Sequence, residues 1–139
     1  IDRPGLAVHL DPINITSSPW RFYNNALFIR QCFALLGPRI VSCHAKDMNM
    51  PPKHPTVRID ETFVGDGVLD YETYLKEIGK LDPAPTLMIE HLNENQLIQG
   101  LRFLFSKAEE IGITFEGSEV REELVDVEDS SGEWFAPHQ

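Results

Sequence analysis

The sequence predicts an α/β fold built on parallel strands. Three observations carry that prediction. Short apolar runs alternate with longer stretches of helical period. The joints between them are helix caps and helix stops, with no hairpin turn signal. Each apolar run becomes polar at its C-terminal end.

In chain order, residues 5–11 read as a buried strand that ends on Asp11. Ser17, Ser18 and Pro19 start a helix, a serine cap followed by proline in the first turn. It runs over about 20–36, with Phe22, Ala26, Ile29, Phe33 and Leu36 on one stripe, until Gly37 and Pro38 stop it. Residues 39–44 form a second strand ending on His44. Residues 48–56 hold three prolines and read as a loop, and Gly65, Asp66 and Gly67 as a turn. Asp70 caps a helix whose stripe is Tyr71, Tyr74, Leu75 and Ile78. After Pro83 and Pro85, residues 86–90 form a third strand ending on Glu90. Asn93 with Gln96 is a capping box. The helix after it uses Leu97, Leu101, Leu104, Phe105, Ala108 and Ile111, and Gly112 closes it.

Strand–helix alternation implies parallel pairing through right-handed crossovers. Strands apolar almost throughout fit a sheet covered on both faces. The three units have about 37 residues each, against about 31 in a (β/α)8 barrel of about 250 residues, so the chain amounts to under half of one. A small doubly wound sheet competes, but no Gly-rich phosphate loop follows any strand. The chain opens on Ile1 rather than Met, with a strand following at once, and is expected to be an excerpt of a longer protein.

The 139 residues are 42% apolar and 24% charged, with a net charge of −10, which excludes full disorder and a coiled coil. No apolar run approaches the roughly 20 residues of a membrane span. An isoelectric point near 4.8 argues against a broad phosphate-binding surface and hence against a nucleic-acid partner. Cys32 and Cys43 lack metal-type spacing and read as free buried thiols in a reducing, cytoplasmic setting. The charge is uneven. Residues 116–139 carry net −7, so residues 113–139 are expected to be an acidic, mobile tail behind a nearly balanced body over 1–112. Trp134 and Phe135 offer that tail a docking alternative.

Asp11, His44 and Glu90 occupy the same topological point on three strands. In parallel α/β sheets that end is where sites are built. Strand period two puts His9 with Asp11, Ser42 with His44 and Lys46, and Met88 with Glu90. Singly, each has a plainer role: a turn aspartate, a core histidine, a solvated strand exit. Together, a carboxylate, an imidazole and a second carboxylate suit a divalent metal with mixed N/O ligation.

The segments 8–14, 43–47 and 88–92, with Glu61, Gly65, Asp66, Gly67, Leu69, Asp70 and Tyr71 between the last two, resemble the sugar phosphate isomerase/epimerase family of xylose isomerase-like TIM barrels. The resemblance covers residues 1 to about 112 and implies the last three βα units of that barrel. It implies a metal held by Asp11, His44 and Glu90, with a further Glu supplied by an upstream strand; Mn²⁺, Co²⁺ and Mg²⁺ suit the donors, and Zn²⁺ is compatible. It also implies metal-dependent isomerisation or epimerisation of a sugar or sugar phosphate. The α-proton is transferred through a metal-stabilised enediolate, with Glu90 as one acid/base. Asn14 and Lys46 are then candidates for binding substrate oxygens, and His9 for a second-shell hydrogen bond to Asp11. Asn14 replaces the His, and Thr62, Phe63 and Val64 replace an Arg-bearing stretch, of members acting on free ketoses. Hydroxyl recognition should therefore differ.

Three rivals are weighed. A keto-polyol dehydratase shares the metal and the first proton abstraction. An abasic-site endonuclease needs more histidines and a basic groove, which the body lacks. A non-catalytic barrel remnant would act as an interaction module, and unpaired sheet edges would favour a homo-oligomer.

Overall fold

The structure, a computed structural model, describes residues 3, 5–53, 56–90 and 93–116. Three strands, β1 (Val8–Leu10), β2 (Ile40–Ala45) and β5 (Thr86–Ile89), form one sheet in the order β1-β2-β5 with both pairings parallel. They are adjacent in the order in which they occur, as strand–helix alternation requires.

Register sorts the sheet into two faces. His9 lies opposite Ser42, and His44 opposite Met88, so these residues share a face with Thr86. Leu10, Cys43, Ala45, Leu87 and Ile89 share the other. The second face belongs to the hydrophobic core: Cys43 and Ala45 are fully buried. The first is open, with His9 and Thr86 exposed and Met88 at 40% exposure. This corrects the expectation of a sheet covered on both faces. Among the described residues one face is covered, and the open one carries the polar strand ends.

The helices follow their caps. Helix α1 (Pro19–Tyr23) starts where the Ser18 hydroxyl accepts the Arg21 N–H, with Pro19 in the first turn. The single helix expected through residue 36 is broken at Asn24, and α2 (Asn25–Leu36) follows. The side chains give the cause. The Asn24 side-chain amide donates to the Trp20 carbonyl, which also accepts the Asn24 backbone N–H. The Asn25 amide donates to the carbonyls of Phe22 and Val68, while its own carbonyl accepts the Asp70 N–H. Asn25 thereby ties the helix start to the loop preceding α3 (Tyr71–Ile78), whose cap is Asp70 accepting from the Thr73 N–H. Helix α4 (Glu94–Glu110) opens on the reciprocal Asn93–Gln96 box and ends before Gly112, at φ +72°.

Ile29 and Phe33 of α2, Tyr74, Leu75 and Ile78 of α3, and Leu104 and Ala108 of α4 meet the covered face of the sheet in one core. Each large side chain that leaves water there contributes about 1.5–3 kcal/mol. Leu97, expected on the stripe of α4, is 40% exposed, so the first turn of that helix stands off the core.

The stretch expected as a loop over 48–56 begins within a strand. β3 (Asp47–Asn49) pairs antiparallel with β4 (Asp60–Thr62). Buried Asp47 anchors this small ribbon. One carboxylate oxygen accepts the N–H groups of Met48 and Leu69, and the other accepts that of Gly65. Gly67 is required by close approach, since a Cβ there would lie 2.2 Å from Asp47 Oδ1 and 2.5 Å from the Met48 carbonyl oxygen. Residues 117–139, with the acidic run and Trp134 and Phe135, lie outside the described residues, as do His91 and Leu92.

Candidate functional site

At the carboxyl ends of the three parallel strands, one ligand atom each from Asp11, His44 and Glu90 lies within 4.8 Å of the others. Asp11 divides its two oxygens. Oδ1 accepts the N–H groups of Ile13 and Asn14, the local turn that a strand-end aspartate makes. Oδ2 faces the cluster, where the Asn14 amide (2.8 Å), Lys46 Nζ (3.0 Å) and His44 Nδ1 (3.1 Å) approach it. The plainer role and the functional one are thus filled by different atoms of one side chain.

His44 Nδ1 also lies 3.0 Å from Glu90 Oε2. These contacts bring one imidazole nitrogen and two carboxylate oxygens to a single point. The donor set, one nitrogen and two carboxylates on rigid strand ends, fits a divalent ion.

Lys46 supplies the balancing charge. Its side chain is 3% exposed, and Nζ lies 2.8 Å from Glu90 Oε2, 3.0 Å from Asp11 Oδ2 and 3.1 Å from Glu61 Oε2. Burial alone would lower its pKa, but the carboxylates of Glu90, Asp11 and Glu61 more than offset that and hold the ammonium charged. For Asp11, burial pushes upward, while the Asn14 backbone, Lys46 and His44 pull further down, leaving it a firm carboxylate. Asp47 behaves oppositely: burial raises it despite its backbone donors.

Two tyrosines one turn apart on α3 hold the backbone beneath the centre. Tyr74 donates to the His44 carbonyl at 2.9 Å, and Tyr71 to the Lys46 carbonyl at 2.5 Å. Both sit on the expected apolar stripe, where nothing in the periodicity distinguishes a tyrosine that packs from one that also donates.

The structure brings Asp11, His44, Glu90, Lys46 and Asn14 together. His9 stands apart from its expected role. It is exposed on the open face, its Nδ1 is 2.5 Å from Ser42 Oγ, and its ring meets that of His44 edge-on at 3.9 Å between centroids. Its partners are therefore Ser42 and His44 rather than Asp11, because the side chain sits one strand repeat below the carboxylate. Lys46 is buried among the carboxylates of Asp11, Glu61 and Glu90, while its neighbour Asp47 is engaged by backbone N–H groups. Glu61 was assigned no role from the sequence. Its place beside Lys46 depends on the β3–β4 pairing, which three prolines concealed.

No family model matches this chain, and neither does any curated protein. Among solved structures, the chain is similar to a xylose isomerase domain protein from Planctomyces limnophilus, with a TM-score of 0.59 and 22% identity over 80% of this chain. The chain spans 40% of that protein's length. The likeness is one of fold: this chain has a xylose isomerase-like α/β arrangement around a parallel three-stranded sheet.

Proposed function

We propose that residues 1–112 are the last three βα units of a xylose isomerase-like (β/α)8 barrel. In this reading the strand-end centre is a divalent-metal site for proton transfer on a sugar or sugar phosphate. The observation that carries it is the convergence of Asp11, His44 and Glu90 at the carboxyl ends of three adjacent parallel strands, on the open face of the sheet. The fold neighbour, titled a xylose isomerase domain protein, supports the same reading.

When bound, a divalent ion (Mn²⁺, Co²⁺, Mg²⁺ or Zn²⁺) supplies Lewis-acid stabilisation of negative charge on a substrate oxygen. Asp11, His44 and Glu90 would hold it. Glu90, engaged in the cluster through Oε2, is the acid/base that would take the proton from the carbon beside the carbonyl and return it. Returned to the neighbouring carbon it gives an isomer; returned on the opposite face by a second base it gives an epimer. The Asn14 amide, beside Asp11 Oδ2, is placed to orient a sugar hydroxyl. Lys46 balances the charge of the carboxylates. A keto-polyol dehydratase shares every step to proton abstraction and is separated from an isomerase by loss of water from the product. The substrate is a small carbohydrate, and free buried Cys32 and Cys43 suit the reducing cytoplasm. No helix among the described residues is long and apolar enough to cross a membrane.

The direct test is equilibrium dialysis of the full chain against Mn²⁺. One ion retained per chain and released by chelator is expected; no retained ion overturns the metal site.

A further inference from the structure

We propose that Lys46 is a tethered competitor for the cation of the Asp11–His44–Glu90 centre. Its ammonium holds the two carboxylates together when no ion is bound and withdraws onto Glu61 when one is. The inference rests on the metal-site reading above and adds how ion occupancy is set.

Three observations carry it. First, Lys46 Nζ contacts Asp11 Oδ2 and Glu90 Oε2, the same two oxygens that approach His44 Nδ1. Second, the side chain is 3% exposed, so the ammonium has given up its water and depends on these carboxylates. Two carboxylates so close together repel unless a cation lies between them, and here the lysine supplies it. Third, the ammonium has a partner outside the Asp–His–Glu group. Glu61, on β4, lies 3.1 Å away with its side chain 36% exposed. When an ion takes the shared oxygens, Lys46 retains Glu61 and is not left as an unpaired buried charge. The ribbon that carries Glu61 is anchored by Asp47, the residue next to Lys46. The competitor and its alternative partner are therefore fixed by the same loop.

The test is calorimetric titration with Mn²⁺ of the full chain and of two variants. Lys46→Met keeps the length of the stem and removes the charge. It should bind Mn²⁺ at least about tenfold more tightly, because a unit charge in contact with two ligand oxygens is removed. Glu61→Gln deprives the ammonium of its alternative partner and should bind Mn²⁺ about threefold or more weakly. Melting curves give a second readout: without ion Lys46→Met melts below the wild type, and saturating Mn²⁺ raises its melting temperature by more. Lys46→Met binding as the wild type does, or more weakly, overturns the proposal while the metal site stands. If Lys46→Met does not fold, Glu61→Gln decides, and unchanged or tighter binding overturns the proposal. Binding by none of the three proteins overturns the metal site itself.

Discussion

Asp11 shows how one side chain can satisfy a structural and a chemical demand at once. Its Oδ1 closes the turn over Ile13 and Asn14, while Oδ2 meets the donors of the cluster. His44 has no such division of labour, since its ring nitrogen serves both carboxylates. His9 lies on the same face with its Nδ1 engaged by Ser42, and among the described residues His44 is the imidazole grouped with Asp11 and Glu90. His44→Ala should therefore weaken Mn²⁺ binding at least about a hundredfold, the upper range found even for lost outer-shell partners. Metal analysis of the dialysed variant checks this, and unchanged stoichiometry would refute the assignment of His44.

At the scale of elements, the site depends on two supports that are not themselves in it. The β3–β4 ribbon is held by Asp47, whose carboxylate accepts three backbone N–H groups. Asp47→Ala leaves those donors without their acceptor at about 1–3 kcal/mol for each one buried, so a loss of about 3 kcal/mol or more is expected in urea unfolding. Gly67→Ala should also destabilise, since its Cβ would meet the Met48 carbonyl, which is backbone and cannot swing aside. Helix α3 supplies the second support. Tyr74→Phe removes the hydrogen bond to the His44 carbonyl and should cost about 1 kcal/mol in the same measurement. A value near zero would mean that the hydroxyl does not hold the strand end.

At the scale of the molecule, β1 and β5 each have a strand neighbour on one side only among the described residues. The face carrying His9, Thr86 and Met88 is open. Open edges and an uncovered sheet face promote association. Residues 1–139 expressed alone should show a mass in light scattering that rises with concentration above the 15.8 kDa monomer. On the reading proposed above, in which a further Glu from the opposite face completes the site, they should also lack turnover on ketoses. A stable monomer with metal-dependent epimerase activity would show that the site is complete within these residues.

The sequence by itself determined whatever depends on local chemistry. Asp70 and the Asn93–Gln96 pair are helix caps because their side chains reach backbone donors three residues away. Asp11, His44 and Glu90 could be placed together because strand period and parallel topology bring strand ends to one side. The break at Asn24 was not legible, since it depends on Asn25 finding Val68 and Asp70 more than 40 residues onward. The β3–β4 ribbon was hidden because its prolines read as loop, while its strands are set by Asp47 gathering N–H groups as distant as Leu69. Lys46 was legible as a polar residue near the centre but not as a buried cation shared by three carboxylates. That role depends on distances among Asp11, Glu61 and Glu90, which come from three different elements, and only tertiary structure sets the spacing on which electrostatic energy depends.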